Sequence, residues 1–320
     1  MPTNSPLDPL ERRIIGALQV DGRAPWRRIA RALDEPERTV ARHGASLLAQ
    51  GHVTVAGIEN RASALVAAFS CTPGASRLTC ESLAQRPDTA YSYLTTGPAD
   101  VVSEVHYNGD PTDILTTQLP AAPGVARLST HPVLKYFKTI RGWRAGVLTA
   151  AEEQTLTGPY GPDRAQWEYR DDLTDTDRVL IQALKKDGRA SFESLARLVG
   201  LSENSVSRRL DWLQRNTRMT IRTLVEPGLM GLPVEAQLWV QAAPQLVDQI
   251  GTHLATLTEV RYAAAIAGEY QLLVDVTLPD QKSLYRFLSD SLWHGTATRV
   301  STALVVKARK RGGRLFEISV

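Results

Sequence analysis

A chain of 320 residues, 43% hydrophobic and 22% charged, has room for two to four small domains, each with its own core. Its net charge of +3 is too small to mark a nucleic-acid-binding chain, so any basic surface must be argued locally. No apolar run approaches the roughly 18 residues that span a bilayer, the opening MPTNSPLDPLERR lacks an apolar signal core, and two cysteines, Cys71 and Cys80, are too few for a disulfide framework; a cytoplasmic protein with reduced, buried cysteines and no membrane partner is expected.

Residues 1–58 read as three short helices, LDPLERRIIGALQV, PWRRIARAL and ERTVARHGASLLA, joined through DGRA and DEP. Two helices joined by a tight turn form a helix-turn-helix, whose last helix can enter a DNA major groove. Its outward residues are Arg38, Thr39, Arg42 and His43, with Arg27, Arg28 and Arg31 alongside as phosphate contacts.

Residues 61–138 alternate strands and helices. SALVAAFSC (63–71) is a strand, and 75–85 is helical. TAYSYLTTG (89–97) and ADVVSEVHY (99–107) form a hairpin; a helix near 112–119 and a strand near 125–133 close the unit. The order βαββαβ is the split arrangement of ferredoxin-like domains. Residues 139–172 are rich in Gly, Pro and charge and read as a linker.

Residues 173–228 repeat the opening. Segments 7–55 and 173–221 align without a gap at an offset of 166, and DGRA recurs in place (Asp21 to Ala24, Asp187 to Ala190). In this copy Thr174, Ser191 and Ser202 are expected to cap three helices. Asp177 completes a box with Thr174, and Gly188 supplies a left-handed stop. Val179, Leu180, Ala183 and Leu184 form the inner face of the first helix, and Val206, Leu210 and Leu213 that of the third. The outward residues Asn204, Ser205, Arg208 and Arg209 include types that bond adenine and guanine edges bidentately, and Arg197, Arg215 and Arg218 suit phosphates. The first copy reads as the degenerate one. Asp34 and Pro36 stand where the second has Gly200 and Ser202, although Asp tolerates the left-handed turn and Pro can open a helix. Gly44 replaces Leu210, which removes a core side chain and costs about 1 kcal/mol of helix propensity.

Residues 232–312 repeat the βαββαβ order. VEAQLWVQA (234–242), EVRYAAAIA (259–267), YQLLVDVTL (270–278) and ATRVSTALVVKA (297–308) are the strands; 244–257 and 280–295 are the helices, the latter with Leu284, Phe287, Leu288 and Leu292 inward. Gly97 aligns with Gly268 and Tyr91 with Tyr262. The fold class is α+β, two tri-helical, winged-type helix-turn-helix domains alternating with two ferredoxin-like domains.

LTDTDRVLIQALKKDGRASFESLARLVGLSENSVSRRLDWLQ, followed by GEYQLLVDV, resembles the opening and the glycine hairpin of the Lrp/AsnC transcription regulators. The resemblance covers most of the chain outside the linker and implies a tandem duplication of a unit that relatives carry once. It implies a non-enzymatic regulator with double-stranded DNA as partner and no cofactor or metal. It also implies α/β domains that pair sheet to sheet, here within one chain as an internal pseudo-dimer, in chains that associate into homo-oligomers. A small, amino-acid-like effector would bind near the hairpins, at Gly97, Asp100, Gly268, Tyr270 and Gln271. The family's hairpin Asp is Gln271 in the second copy, whereas the first keeps Asp100. The double layout also resembles siroheme decarboxylases, but their His-Asn-Tyr stretch is replaced by Thr89-Ala90-Tyr91 and Val260-Arg261-Tyr262, with His106 standing nearby. An effector sensor acting through protein partners is the third reading.

Overall fold

The computed structural model describes residues 7–60, 63–158, 172–290, 293 and 295–316. It divides into two compact units, Met1–Asn60 with Arg144–Gly231, and Arg61–Trp143 with Leu232–Val320. Like repeats are therefore gathered together, although they alternate along the chain. No helix among the described residues is long and apolar enough to cross a membrane.

The first unit holds α1 (Pro9–Val20), α2 (Trp26–Leu33) and α3 (Glu37–Ala49), repeated as α6 (Asp175–Lys186), α7 (Phe192–Val199) and α8 (Glu203–Arg215). Capping boxes open α1 (Asp8 with Glu11) and α6 (Thr174 with Asp177), and Ser191 and Ser202 cap α7 and α8 as expected. The second copy buries Leu180, Ile181, Leu184, Leu195, Val206, Leu210 and Leu213. Leu180 and Leu184 are buried as expected, but Val179 is 42% exposed and Ile181 takes its place on the inner face of α6.

Each third helix runs into a strand, β1 (Val53–Glu59) and β6 (Met219–Val225), which pair antiparallel over their full length. These strands carry no hairpin signal within their own repeat, because each finds its partner only in the other. They also correct the role of Gly188. Its backbone is not left-handed, and the stop of α6 is extended Asp187. Gly188 donates its N–H to the Val55 carbonyl at 2.8 Å, and a Cβ there would stand 2.8 Å from the Ala56 nitrogen. Close approach to β1 is what requires glycine. The expected linker is also not featureless: α5 (Ala150–Leu156) is capped by Thr149 and buries Leu156, while residues 159–171 lie outside the described residues.

The second unit holds β2 (Ser63–Cys71), α4 (Ser76–Gln85), β3 (Thr89–Thr95), β4 (Val101–Tyr107), a π-helical turn (Ile114–Gln118) and β5 (Val125–Lys138). These repeat as β7 (Val234–Ala242), α9 (Val247–Thr256), β8 (Val260–Ile266), β9 (Leu272–Leu278), α10 (Gln281–Leu288) and β10 (Ala297–Arg311). The expected inward Leu292 lies outside the described residues. Each half orders its strands alike, β3-β4-β2-β5 and β8-β9-β7-β10. β5 and β10 are longer than expected, and their C-terminal ends cross to the other half: β5 pairs with β8 from Val133 to Lys138, and β10 with β3 from Val305 to Lys310. The strands thus close a ring. Tyr91, Tyr93, Trp239, Tyr262 and Leu273 fill one apolar cluster drawn from both halves, while α4 and α9 each cover their own half through Leu83 and Leu254. Both cysteines are free; Cys80 is buried, whereas Cys71 is only half-buried.

Candidate nucleic-acid interface

In the second copy Gly200 ends α7 in the left-handed conformation (φ 68°), with its N–H on the Ala196 carbonyl. Ser202 then opens α8 by accepting the Ser205 N–H. Asn204 and Arg208 are exposed, and Ser205 is half-buried with its hydroxyl 2.9 Å from that of Ser202.

Arg209, expected to face outward, does not. Its guanidinium bonds both carboxylate oxygens of buried Asp177 and lies 4.2 Å from the Trp212 ring centre. Asp177 also accepts the Thr174 N–H and hydroxyl, each at 2.7 Å. Burial pushes this carboxyl up, but Arg209 and Thr174 outweigh it and hold it below the ordinary aspartate value. Arg209 therefore fastens α8 to the N-terminus of α6. One phosphate candidate is also committed elsewhere. Arg218 is buried against Asp172, whereas Arg215 pairs with Asp211 at the exposed surface, a contact that restrains it little. Arg197 pairs with Glu193, but both are exposed, so the pair restrains it little.

The first copy keeps the same turn with different residues. Asp34 ends α2 left-handed (φ 54°), with its N–H on the Ala30 carbonyl. Pro36 sits at the N-cap of α3, where Ser202 sits in α8, and supplies no side-chain cap. The core side chain expected to be missing at Gly44 has been replaced from the neighbouring helix. A Cβ at Gly44 would collide with the Trp26 ring. Trp26 aligns with Phe192 and Gly44 with Leu210, so bulk has moved from α3 to α2. At this position the first copy is repacked.

On its surface Arg27, Arg38 and Arg42 are exposed and Thr39 is half-buried. Arg28 is not available for phosphate: it donates to the carbonyls of Thr155 (3.3 Å) and Thr157 (2.9 Å) and pairs with Asp21 at 3.1 Å.

The recurrent DGRA holds the two copies together. Arg23 donates to the carbonyls of Gly188 (2.7 Å) and Ala190 (2.8 Å), and Arg189 donates to those of Gly22 (2.6 Å) and Ala24 (3.1 Å). Asp21 and Asp187 each accept the N–H of the arginine two residues on. Arg23 lies over the Phe192 ring and Arg189 over Trp26. The exchange is reciprocal, like an isologous dimer contact. Its signal was the verbatim repeat; its role needed the other copy.

The hairpin candidates sit at equivalent places in the second unit, with Gly97 at φ 88° and Gly268 at φ 134°. Their polar neighbours are structural. Asp100 accepts the Cys71 N–H at 2.7 Å, and Gln271 accepts the equivalent Ala242 N–H at 3.1 Å. The Gln271 amide donates to the Gly268 carbonyl at 3.1 Å. Around Gly268, Trp239 packs edge-on against His131 (5.3 Å) and Tyr270 (5.8 Å). Burial lowers the His131 pKa, and its Nδ1 lies 3.2 Å from the Ala267 carbonyl. At the first hairpin the aligned residues are all alanines: Ala68 for Trp239, Ala99 for Tyr270 and Ala303 for His131. His106 lies with its Nε2 3.2 Å from Glu104.

Comparison with known proteins agrees with the two kinds of unit. The AsnC-type helix-turn-helix domain matches residues 7–42 and again 173–214, and the Lrp/AsnC ligand binding domain matches 235–315. An uncharacterised HTH-type transcriptional regulator of Pyrococcus abyssi is 26% identical over 142 residues, 44% of this chain and 90% of the relative. The leucine-responsive regulatory protein of Escherichia coli K12 is 27% identical over 149 residues, 45% of this chain and 91% of the relative. The siroheme decarboxylase NirDL has a similar fold over 94% of this chain and 92% of its own, with a TM-score of 0.64 at 13% identity.

Proposed function

We propose that this chain, which belongs to the Lrp/AsnC family, is a sequence-specific DNA-binding transcription regulator whose two unlike helix-turn-helix copies act as one reader. The observation that carries this reading is α8: a capped helix after a tight turn, with Asn204 and Arg208 exposed on its N-terminal half. The N-terminal half is the part that reaches base edges, and those side chains can bond adenine and guanine bidentately. Arg38, Thr39 and Arg42 are the corresponding residues of the first copy, with Arg27 and Arg197 on phosphates.

The second unit serves as an internal pseudo-dimer of two ferredoxin-like halves. The shared strand order and the crossing of β5 and β10 support that reading. A small effector belongs at the first hairpin, where Ala68, Ala99 and Ala303 stand in place of the aromatics that crowd Gly268. Tetrapyrrole decarboxylation is the second reading, raised by the fold shared with the siroheme decarboxylase NirDL. At 13% identity that likeness speaks to fold alone. The aligned Tyr91 and Tyr262 are both buried, at 1% and 3% exposure.

The test is a comparison of specific with non-specific binding. Replacing Asn204 and Arg208 together with alanine should weaken binding to a selected site at least about tenfold more than binding to random duplex, since each bidentate contact is worth about 1–3 kcal/mol. Equal losses on both would refute the assignment of α8.

A further inference from the structure

The two recognition helices are fastened to the first helices of their own copies at the same places by different chemistry. In the second copy Arg209 holds Asp177. The offset of 166 puts His43 and Glu11 at those positions in the first copy, and they are in contact: the imidazole Nδ1 lies 3.2 Å from the Glu11 carboxylate and 3.9 Å from that of Asp8. The other ring nitrogen, Nε2, lies 3.1 Å from Nη2 of Arg42. Arg42 aligns with Arg208, which is exposed.

We propose that His43 is a positioning residue for the first reader, tethering Arg42 while neutral and releasing it on protonation. The proposal rests on the reading of α3 as a DNA-recognition helix. A guanidinium can only donate, so Nε2 must accept from Arg42. Nδ1 then carries the ring hydrogen and donates to Glu11. This relay exists in one protonation state only. In the imidazolium both nitrogens are donors, so Nε2–H would face the Arg42 N–H, with two cations side by side. The contact with Glu11 and Asp8 survives, because Nδ1 carries a hydrogen in both forms. A proton gained at Nε2 therefore breaks the Arg42 tether and keeps the hold on α1. The second copy has no such step, because Arg209 stays charged throughout and Arg208 has no imidazole beside it.

The charged groups around His43 fit this assignment. Asp8 and Glu11 face it from α1, and Arg42 from α3 itself. The remaining charges on α1 point elsewhere, Arg12 toward Gly231 and Arg13 to Glu152 and the Leu33 carbonyl. On α2, Arg28 is held by Asp21, while Arg27 and Arg31 are exposed; on β1, Glu59 pairs with Lys185.

Two substitutions fix the two states. His43→Gln keeps one donor and one acceptor at every pH and should hold Arg42 permanently. His43→Arg copies Arg209 and should leave Arg42 free. On a duplex selected from a random pool, at constant salt, full-length protein should bind about tenfold more tightly at pH 6 than at pH 8, the worth of one good base contact. His43→Gln should bind weakly and His43→Arg tightly, and neither should share that pH dependence. In the free protein, NMR signals of the Arg42 guanidinium should move with the titration of the His43 ring. One common pH profile for all three proteins, or Arg42 signals indifferent to His43, would overturn the tether. Coupled Arg42 and His43 signals in a protein that binds no duplex at either pH would support the tether and count against the DNA-reading assignment instead.

Discussion

Asp275 and Glu104 occupy equivalent positions on β9 and β4, each buried, and each is met by different partners. Glu104 accepts the hydroxyls of Tyr262 (2.6 Å) and Tyr136 (3.3 Å). Asp275 has the Gln237 amide at 3.1 Å, while the nearby Arg261 and Arg311 are both bonded to Glu235. Burial pushes Asp275 up to about 7, and the Gln237 amide and the arginines only partly oppose it. An acid whose folded pKa exceeds its unfolded value, about 3.9, stabilises fully below that unfolded value and loses the contribution as pH rises through the folded pKa. Stability should therefore decline between about pH 4 and pH 7, by up to about 1.4 kcal/mol for each unit separating the two values. Asp275→Asn should remove most of that decline and be the more stable protein at pH 8. Urea midpoints of both proteins at pH 5 and pH 8 check this; parallel declines would assign the pH dependence to other groups.

At the scale of elements, legibility followed the range of the interaction. The caps at Thr174, Ser191 and Ser202 were readable because a cap and its N–H lie within three residues of each other. The left-handed Asp34 was readable for the same reason. Arg209 was misassigned because its partner lies a whole domain core away in sequence, and a helix face alone does not distinguish an arginine that reaches solvent from one that reaches a buried carboxylate. β1 and β6 were missed because each is paired only by the other repeat. Gly44 was read as damage because compensation sits on another helix, in Trp26. That exchange is testable. Gly44→Leu alone should destabilise the protein by about 1–3 kcal/mol through overpacking against the Trp26 ring. Trp26→Phe added to it recreates the Phe192 and Leu210 arrangement and should recover much of the loss, which thermal unfolding of both variants would register as a coupling. Additive losses would show that the two positions do not exchange volume.

On the scale of the whole molecule, one chain carries two copies of each kind of unit, whereas the relatives it matches align over less than half of its length. The reciprocal grip of Arg23 and Arg189 and the β1–β6 ribbon join the two helix-turn-helix copies, and the crossing strands β5 and β10 join the two α/β halves. Fusion leaves each copy free to change without its partner changing. The third helices differ in the residues proposed to read bases: Asn204 and Arg208 on α8, Arg38, Thr39 and Arg42 on α3. Because a binding site mirrors the symmetry of its reader, the account predicts an asymmetric operator. The measurement that tests it most directly is selection of random duplex DNA by the full-length protein at a fixed salt of about 150 mM, because phosphate contacts make affinity strongly salt-dependent, followed by footprinting. The result predicted is a defined site with two unlike half-sites, about one helical turn or a multiple of it apart. Failure to enrich any sequence, with amino acids present or absent, would contradict it.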